Sequence, residues 1–209
     1  MKQFVSALAG SIALTVLPAP RFDGDLSVER ALRGRRSVRE YTDSALTLAE
    51  VSQLLWAAQG VTNRSGFRTA PSAGALYPLE VYLVAGKVVG LRPGVHRYVP
   101  RTHTLELVVE GDRREALSVA ALEQTFVRDA PVALVFCAVY HRTTAKYGER
   151  GIRYVHMEAG HAAQNVYLQA ESLHLATAVV GAFRDEQVKR AIGATTDESP
   201  LYVMPIGRP

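Results

Sequence analysis

The sequence predicts an α+β (mixed α/β) fold, and three observations carry that reading. Segments of helical and strand periodicity alternate along the chain, a hairpin pattern interrupts them near the middle, and the run Pro131–Tyr140 is apolar throughout. A length of 209 residues suits one domain, and 48% hydrophobic against 21% charged residues excludes a disordered or collagen-like chain. No internal repeat, low-complexity stretch or linker divides it.

Each element has a local cause. Phe4–Leu17 is a nearly uncharged apolar run behind Lys2 that resembles a signal-peptide core, but it is too short to span a bilayer. Its cleavage end is poor, with Leu17 at the −3 position and Pro20 after the cut. Residues 1–25 are therefore expected to form an N-terminal arm or first helix, with a cytoplasmic location; export is the alternative. The domain proper is expected over 26–209. A short helix over Leu26–Arg33 is capped by Ser27 and ended by Gly34. Thr47-Leu48-Ala49-Glu50 is a capping box, and Leu48, Val51, Leu54, Leu55 and Ala58 follow at helical spacing until Gly60. Residues 61–70 are a polar loop, and Pro71–Ala75 turns towards a helix start that Pro78 limits.

Strands follow at Leu79–Ala85 and in a hairpin of Val95–Val99 with Leu105–Val109. Asp112 caps a helix to about Leu122. Pro131–Tyr140 reads as a central strand buried on both faces. Gly151 to about His174 is the longest helix, preceded by a loop that holds Lys146 and Tyr147. A buried strand over Ala176–Val180, a helix over Arg184–Ile192 and a last strand over Leu201–Ile206 complete the order.

Composition narrows the function classes. A single cysteine, Cys137, excludes an intramolecular disulfide framework and any multi-cysteine metal or iron–sulfur site. A net charge of +4 is too small to argue for nucleic acid. Twenty of the 24 cations are arginine. That bias reads as an arginine-preferring genome or as a need for planar forks that grip phosphate or carboxylate.

Five local patterns could carry chemistry, and each has a plainer alternative. Arg33, Arg35, Arg36 and Arg39 crowd around Gly34 and Ser37, which suits a phosphate monoester or a solvated basic turn. Pro71-Ser72-Ala73-Gly74-Ala75 exposes backbone N–H groups to a flat or anionic ligand, or is an ordinary small-residue helix start. Val180-Gly181-Ala182 ends a buried strand where ligands of such sheets bind, or makes a tight turn. Tyr154, Glu158, His161 and Gln164 or Asn165 recur at helical spacing and are expected to share a polar face against another subunit; the spacing does not suit a metal. Lys146 and Tyr147, among Arg142, Arg150 and Arg153, are proton donors or simply exposed charge. The sequence has no nucleophile elbow, Walker loop or GxGxxG pattern.

Taken in order, Arg35-Arg36-Ser37-Val38-Arg39-Glu40-Tyr41, SQLLWAAQGV (52–61), FRTAPSAGALYPLEVYLV (67–84), Lys146-Tyr147-Gly148-Glu149-Arg150, MEAGHAAQNVYLQA (157–170) and VVGAF (179–183) resemble the nitroreductase superfamily. The likeness is to its SagB/ThcOx-type branch of FMN-dependent dehydrogenases and covers roughly residues 26–208. It implies a central, mostly antiparallel sheet flanked by helices, in an intertwined homodimer with FMN at the subunit interface. Arg35, Arg36, Ser37 and Arg39 would hold the phosphate and ribityl chain, with Arg208 as a further phosphate contact. Pro71, Ser72, Ala73 and Gly74 would line the isoalloxazine ring from the other subunit. Gly181 would offer its N–H to the ring, flanked by Val180 and Ala182. Lys146 and Tyr147 would assist proton removal from an azoline substrate.

The implied activity is an FMN-dependent oxidoreductase. It would reduce nitro or quinone-like compounds with NADH or NADPH, or dehydrogenate azoline rings in a modified peptide. A non-catalytic flavin carrier on the same scaffold is the alternative, and RNA or anion binding through the arginines a third. No nucleic-acid or membrane partner is expected. One departure stands out: His174 occupies a position where the resemblance implies a small residue.

Overall fold

The computed structural model describes residues 14–209. Seven strands make one sheet: β1 (Leu14–Val16), β3 (Leu79–Ala85), β5 (Gly94–Val99), β6 (Thr104–Glu110), β7 (Val132–Ala138), β8 (Ala176–Thr177) and β9 (Ser199–Gly207), in the order β1-β6-β5-β3-β7-β9-β8. Every pairing in that sheet is antiparallel. A separate parallel pair joins β2 (Leu46–Thr47) to β4 (Val88–Val89).

The apolar run places β7 at the centre, and all of its residues are buried. Alternation then sorts side chains into two cores. Val132, Leu134, Phe136 and Ala138 face a cluster with Leu79, Val81 and Leu83, and with residues of the helices α2 (Leu48–Gln59) and α6 (Arg150–Ser172). Ala133, Val135 and Cys137 face the opposite cluster, shared with α3 (Arg114–Ala120), α4 (Thr125–Asp129) and α7 (Asp185–Ile192). The remaining helices are α1 (Val28–Gly34) and α5 (His141–Tyr147).

Caps read from the sequence are present. Ser27 accepts from the Arg30 N–H at 3.3 Å, and the Thr47–Glu50 box closes both ways at 3.2 and 2.8 Å. Three expectations change. The segment holding Lys146 and Tyr147 is helical rather than a loop, because α5 runs to Tyr147 and Gly148, at φ 57°, turns the chain into α6. The strand expected over 176–180 stops at Thr177: its next partner would be Pro205, which has no N–H to give. Pairing resumes only as a bridge between Val180 and Val203. The helix from Asp112 ends at Ala120, and Leu122 and Glu123 adopt left-handed backbone (φ 59° and 61°) before the short α4. The end of the N-terminal apolar run, expected as an arm or a first helix, forms an edge strand, β1, and the part of that run before Leu14 lies outside the described residues. His174 is exposed just past α6 at φ 54°, a conformation that favours glycine, which accounts for the small residue expected there.

Candidate active site

The arginine cluster follows α1. Arg35 is its C-cap, and its guanidinium stands 5.0 Å from the centre of the Tyr167 ring. Arg36 is exposed and bonds back to the carbonyls of Arg33 and Arg35 at 3.1 and 2.9 Å. Arg39 lies over the Phe126 ring at 5.8 Å. Among the described residues none of Arg33, Arg35, Arg36 and Arg39 forms an ion pair, although other arginines of the chain do. The Glu171 carboxylate borders the cluster beside Gly34.

One side chain joins this cluster to the Val179–Ala182 turn. The Tyr167 hydroxyl, projecting from α6, lies 3.1 Å from Ser37 Oγ and accepts from the Val179 N–H at 2.8 Å. Ser37 also bridges Thr177, and the Val38 N–H donates to the Thr177 carbonyl at 3.0 Å. Beyond Val179, Val180 is buried while Gly181 and Ala182 are exposed, and a Cβ placed on Gly181 would meet nothing within 4 Å. Gln124 donates to the Ala182 carbonyl at 3.2 Å. Arg208 reaches the edge of this region, where its carbonyl accepts from the Thr42 N–H at 2.9 Å. Its guanidinium, however, is committed to Glu50 at 2.7 Å.

The second region is built around Pro71–Tyr77. Ala73–Ala75 is a single 3₁₀ turn, not the start of a longer helix. Gly74, Ala75 and Tyr77 have φ of 65°, 54° and 47°, and Ser72 Oγ closes the loop by accepting from the Tyr77 N–H at 2.9 Å. Pro71 and Gly74 are exposed, Ser72 and Ala73 half-buried. Lys146 and Tyr147 meet this loop: a Cβ on Gly74 would come within 2.8 Å of the Tyr147 hydroxyl and 3.0 Å of Lys146 Nζ. The Tyr147 ring packs edge-on against Tyr154.

Behind the loop lies a polar cluster that runs from an exposed Arg142 to the buried Gln59 and Glu158. Arg68 donates to Gln59 Oε1 at 2.8 Å and covers the Tyr77 ring at 4.3 Å. Arg142 donates to the Tyr77 carbonyl at 3.1 Å and pairs with Glu80 at 2.5 Å. Glu158, on α6, is 2% exposed. Burial pushes its carboxyl up to about 7, against the pull of Ser72, Arg68 and Gln59, which face it. Along the polar strip of α6, Glu158 is buried against this cluster whereas His161, three residues on, is exposed.

Structure thus gathers the sequence candidates into two groups. Arg35, Ser37 and Val179, at the start of the 179–182 turn, meet at Tyr167, while Arg39 lies apart over Phe126; Pro71–Gly74, Lys146 and Tyr147 form the second group, with Ser72 facing Glu158. Both tyrosine and glutamate belong to α6, nine residues apart, which is about 14 Å of helix. Sequence reasoning missed Tyr167, Gln59 and Arg68. The signal for Tyr167 was a large hydroxylated side chain among alanines on the buried face of α6. Among the described residues no group of acidic, histidine and cysteine side chains could hold a metal, and no helix is long and apolar enough to cross a membrane.

The nitroreductase family profile matches residues 32–208. The nitroreductase homologue MJ1384 of Methanocaldococcus jannaschii is 50% identical over 88% of this chain and 92% of its own. A solved nitroreductase homologue from Ralstonia eutropha is 33% identical with a TM-score of 0.81, over 93% of this chain and 89% of that one. The microcin B17-processing protein McbC of Escherichia coli is 30% identical over 60% of this chain, and the match spans about half (48%) of McbC.

Proposed function

The chain belongs to the nitroreductase family, and from that premise we propose that it is an FMN-dependent oxidoreductase working as a homodimer. One observation carries the reading: Arg35 and Ser37, within a run of four arginines that have no carboxylate partner among the described residues, meet Tyr167, whose hydroxyl takes the Val179 N–H two residues before the exposed Gly181 with open space above it. Like charges this close need an anion to join them, and the adjoining backbone suits a flat ring. The residues therefore fit a phosphate-bearing flavin. Arg35, Arg36, Ser37 and Arg39 would hold its phosphate and ribityl chain, and Gly181, between Val180 and Ala182, would give an N–H to the ring. Arg208 would add a phosphate contact only by releasing Glu50.

The homodimer is supported by the separation along α6. Two copies running past one another would bring Pro71, Ser72, Ala73 and Gly74 of one beside the arginines of the other. Ile152, Met157 and His161 are exposed along that helix, and Gly160 has open space beside it.

Bound FMN would supply two-electron redox chemistry, exchanging a hydride with its partners. Lys146 and Tyr147 reach the tip of the ring-lining loop, where they would hold or remove a proton on the substrate. That placement favours azoline dehydrogenation in a modified peptide, a reading to which the likeness to McbC lends support. Reduction of nitro or quinone-like compounds by NADH or NADPH is the simpler activity of the same site.

The test is an absorbance spectrum of the purified protein, identification of the released chromophore by mass, and sedimentation. A yellow dimer that releases FMN is expected; a colourless monomer that ignores added FMN overturns the reading. Donors and acceptors are then tried in turn, with an azoline peptide among them. A bound flavin that no donor reduces would leave a carrier.

A further inference from the structure

The loop at Pro71–Tyr77 needs an explanation for its shape. Two of its three left-handed residues, Ala75 and Tyr77, carry side chains, and such backbone persists only where surrounding contacts fix it. The Ala75 N–H donates to the Ser72 carbonyl at 3.0 Å, and three contacts fix Tyr77: the Arg68 guanidinium over its ring, Arg142 on its carbonyl, and Ser72 Oγ on its N–H. Of the side-chain contacts only the last lies inside the loop. It uses a lone pair of the Ser72 oxygen and leaves the hydroxyl proton free to go elsewhere.

The group facing Ser72 from behind is Glu158. Its Oε1 is buried without a hydrogen-bond partner among the described residues, and so is Gln59 Nε2, which also faces the carboxyl. Uncommitted buried donors and acceptors are rare and costly in native proteins. Here an acceptor and two donors, the Ser72 hydroxyl and the Gln59 amide, stand around one point. The charged group facing it is Arg68, itself bonded to Gln59 and flanked by Glu80 and Arg142, which pair with each other. His161, one turn on, is exposed.

We propose that Glu158 is a positioning residue whose carboxylate form, by accepting from Ser72 and Gln59, locks the Pro71–Tyr77 loop. Its consequence for the ring that the loop would line rests on the flavin reading above. As the carboxyl ionises, the Ser72 hydroxyl is drawn towards it, and the serine lone pairs stay aligned with the Tyr77 N–H. When it is protonated, it accepts more weakly and its O–H competes with the Tyr77 N–H for the Ser72 lone pairs, and the loop loosens. Because burial sets the carboxyl near about 7, the lock operates across the neutral range and strengthens as pH rises.

Hydrogen exchange of the 71–77 segment tests this on the full chain without cofactor. After correction for intrinsic rates, protection should rise roughly 10-fold from about pH 6 to about pH 8. Glu158→Gln should abolish that rise while the remainder of α6 keeps its protection. Ser72→Ala, which severs the link but leaves the carboxyl, should abolish it too. An equal rise in all three proteins overturns the proposal.

FMN affinity over the same range, read by quenching of flavin fluorescence, gives the second arm. The wild-type protein should gain severalfold more affinity than Glu158→Gln. Loop protection that titrates in a protein refusing FMN would sink the flavin reading alone. FMN binding with a loop indifferent to Glu158 would sink the positioning role alone.

Discussion

The two ends of α6 solve opposite problems. At Tyr167 the chain leaves charge at the surface: arginines with no carboxylate partner among the described residues, an exposed glycine turn, and one hydroxyl that joins Ser37 beside the first to Val179 before the second. At Glu158 it buries polarity, holding a carboxyl, an amide and a guanidinium behind a loop in left-handed backbone. On the proposed reading, the first region gains its missing partner from a ligand, whereas the second is already shaped and meets a ligand with what it has. Recognition and preorganisation are therefore separable here, and substitutions should split them.

The largest effect is expected at the shaped end. Lys146→Ala and Tyr147→Phe should each lower turnover by about 100-fold or more with FMN content unchanged, as loss of a proton-transfer group does. Steady-state rates on protein of measured flavin content check it, and unaltered turnover would remove both residues from the chemistry. At the cradle end the split should reverse. Arg35→Ala should weaken FMN binding by roughly 10- to 100-fold, the value of a charge-assisted phosphate contact, and added salt should deepen the loss. Titration of cofactor-free protein reads it.

Gly74→Ala sharpens the contrast. Its Cβ would meet the Tyr147 hydroxyl and Lys146 Nζ, which are flexible tips, so the stability cost is mainly that of a side chain at φ 65°, about 1 kcal/mol. The expected signature is a small fall in melting temperature with a larger fall in kcat. The smallest effect belongs to Arg208→Ala. It removes the guanidinium from Glu50, at a cost of about 1 kcal/mol for a half-buried pair. Burial pushes the Glu50 carboxyl up, but bonds from the Thr47 N–H and hydroxyl and from Arg208 outweigh it, so the group ends below the usual carboxylate range. Its stabilisation is therefore present above that range and lost as pH falls through the lowered value. The difference between Arg208→Ala and the wild type in urea unfolding should be full at neutral pH and shrink in acid.

Much of the fold was legible because its signals are local. The uninterrupted apolar run made β7 central, the Thr47–Glu50 box started α2, and Ser27 capped α1. Elements of two or three residues, such as β2, β4 and β8, have no period to read. Strand β8 stopped for a reason located 28 residues away, at Pro205. Candidate residues were legible by type and order. Their grouping was not: helical spacing put Glu158 and His161 on one face, whereas the packing of α2 and the 71–77 loop against α6 buries the one and leaves the other exposed.

By itself the sequence determined which residues alternate, which cap helices and which carry charge, since those properties belong to single side chains and their near neighbours. Only the tertiary structure decided that Tyr167 ties Ser37 to Val179, that Lys146 and Tyr147 rest on Gly74, and that Glu158 Oε1 is buried behind Ser72 with no hydrogen-bond partner among the described residues. Those contacts join segments far apart in the chain. They exist because α6 walls the core on one face of the sheet, and these segments must pack against it.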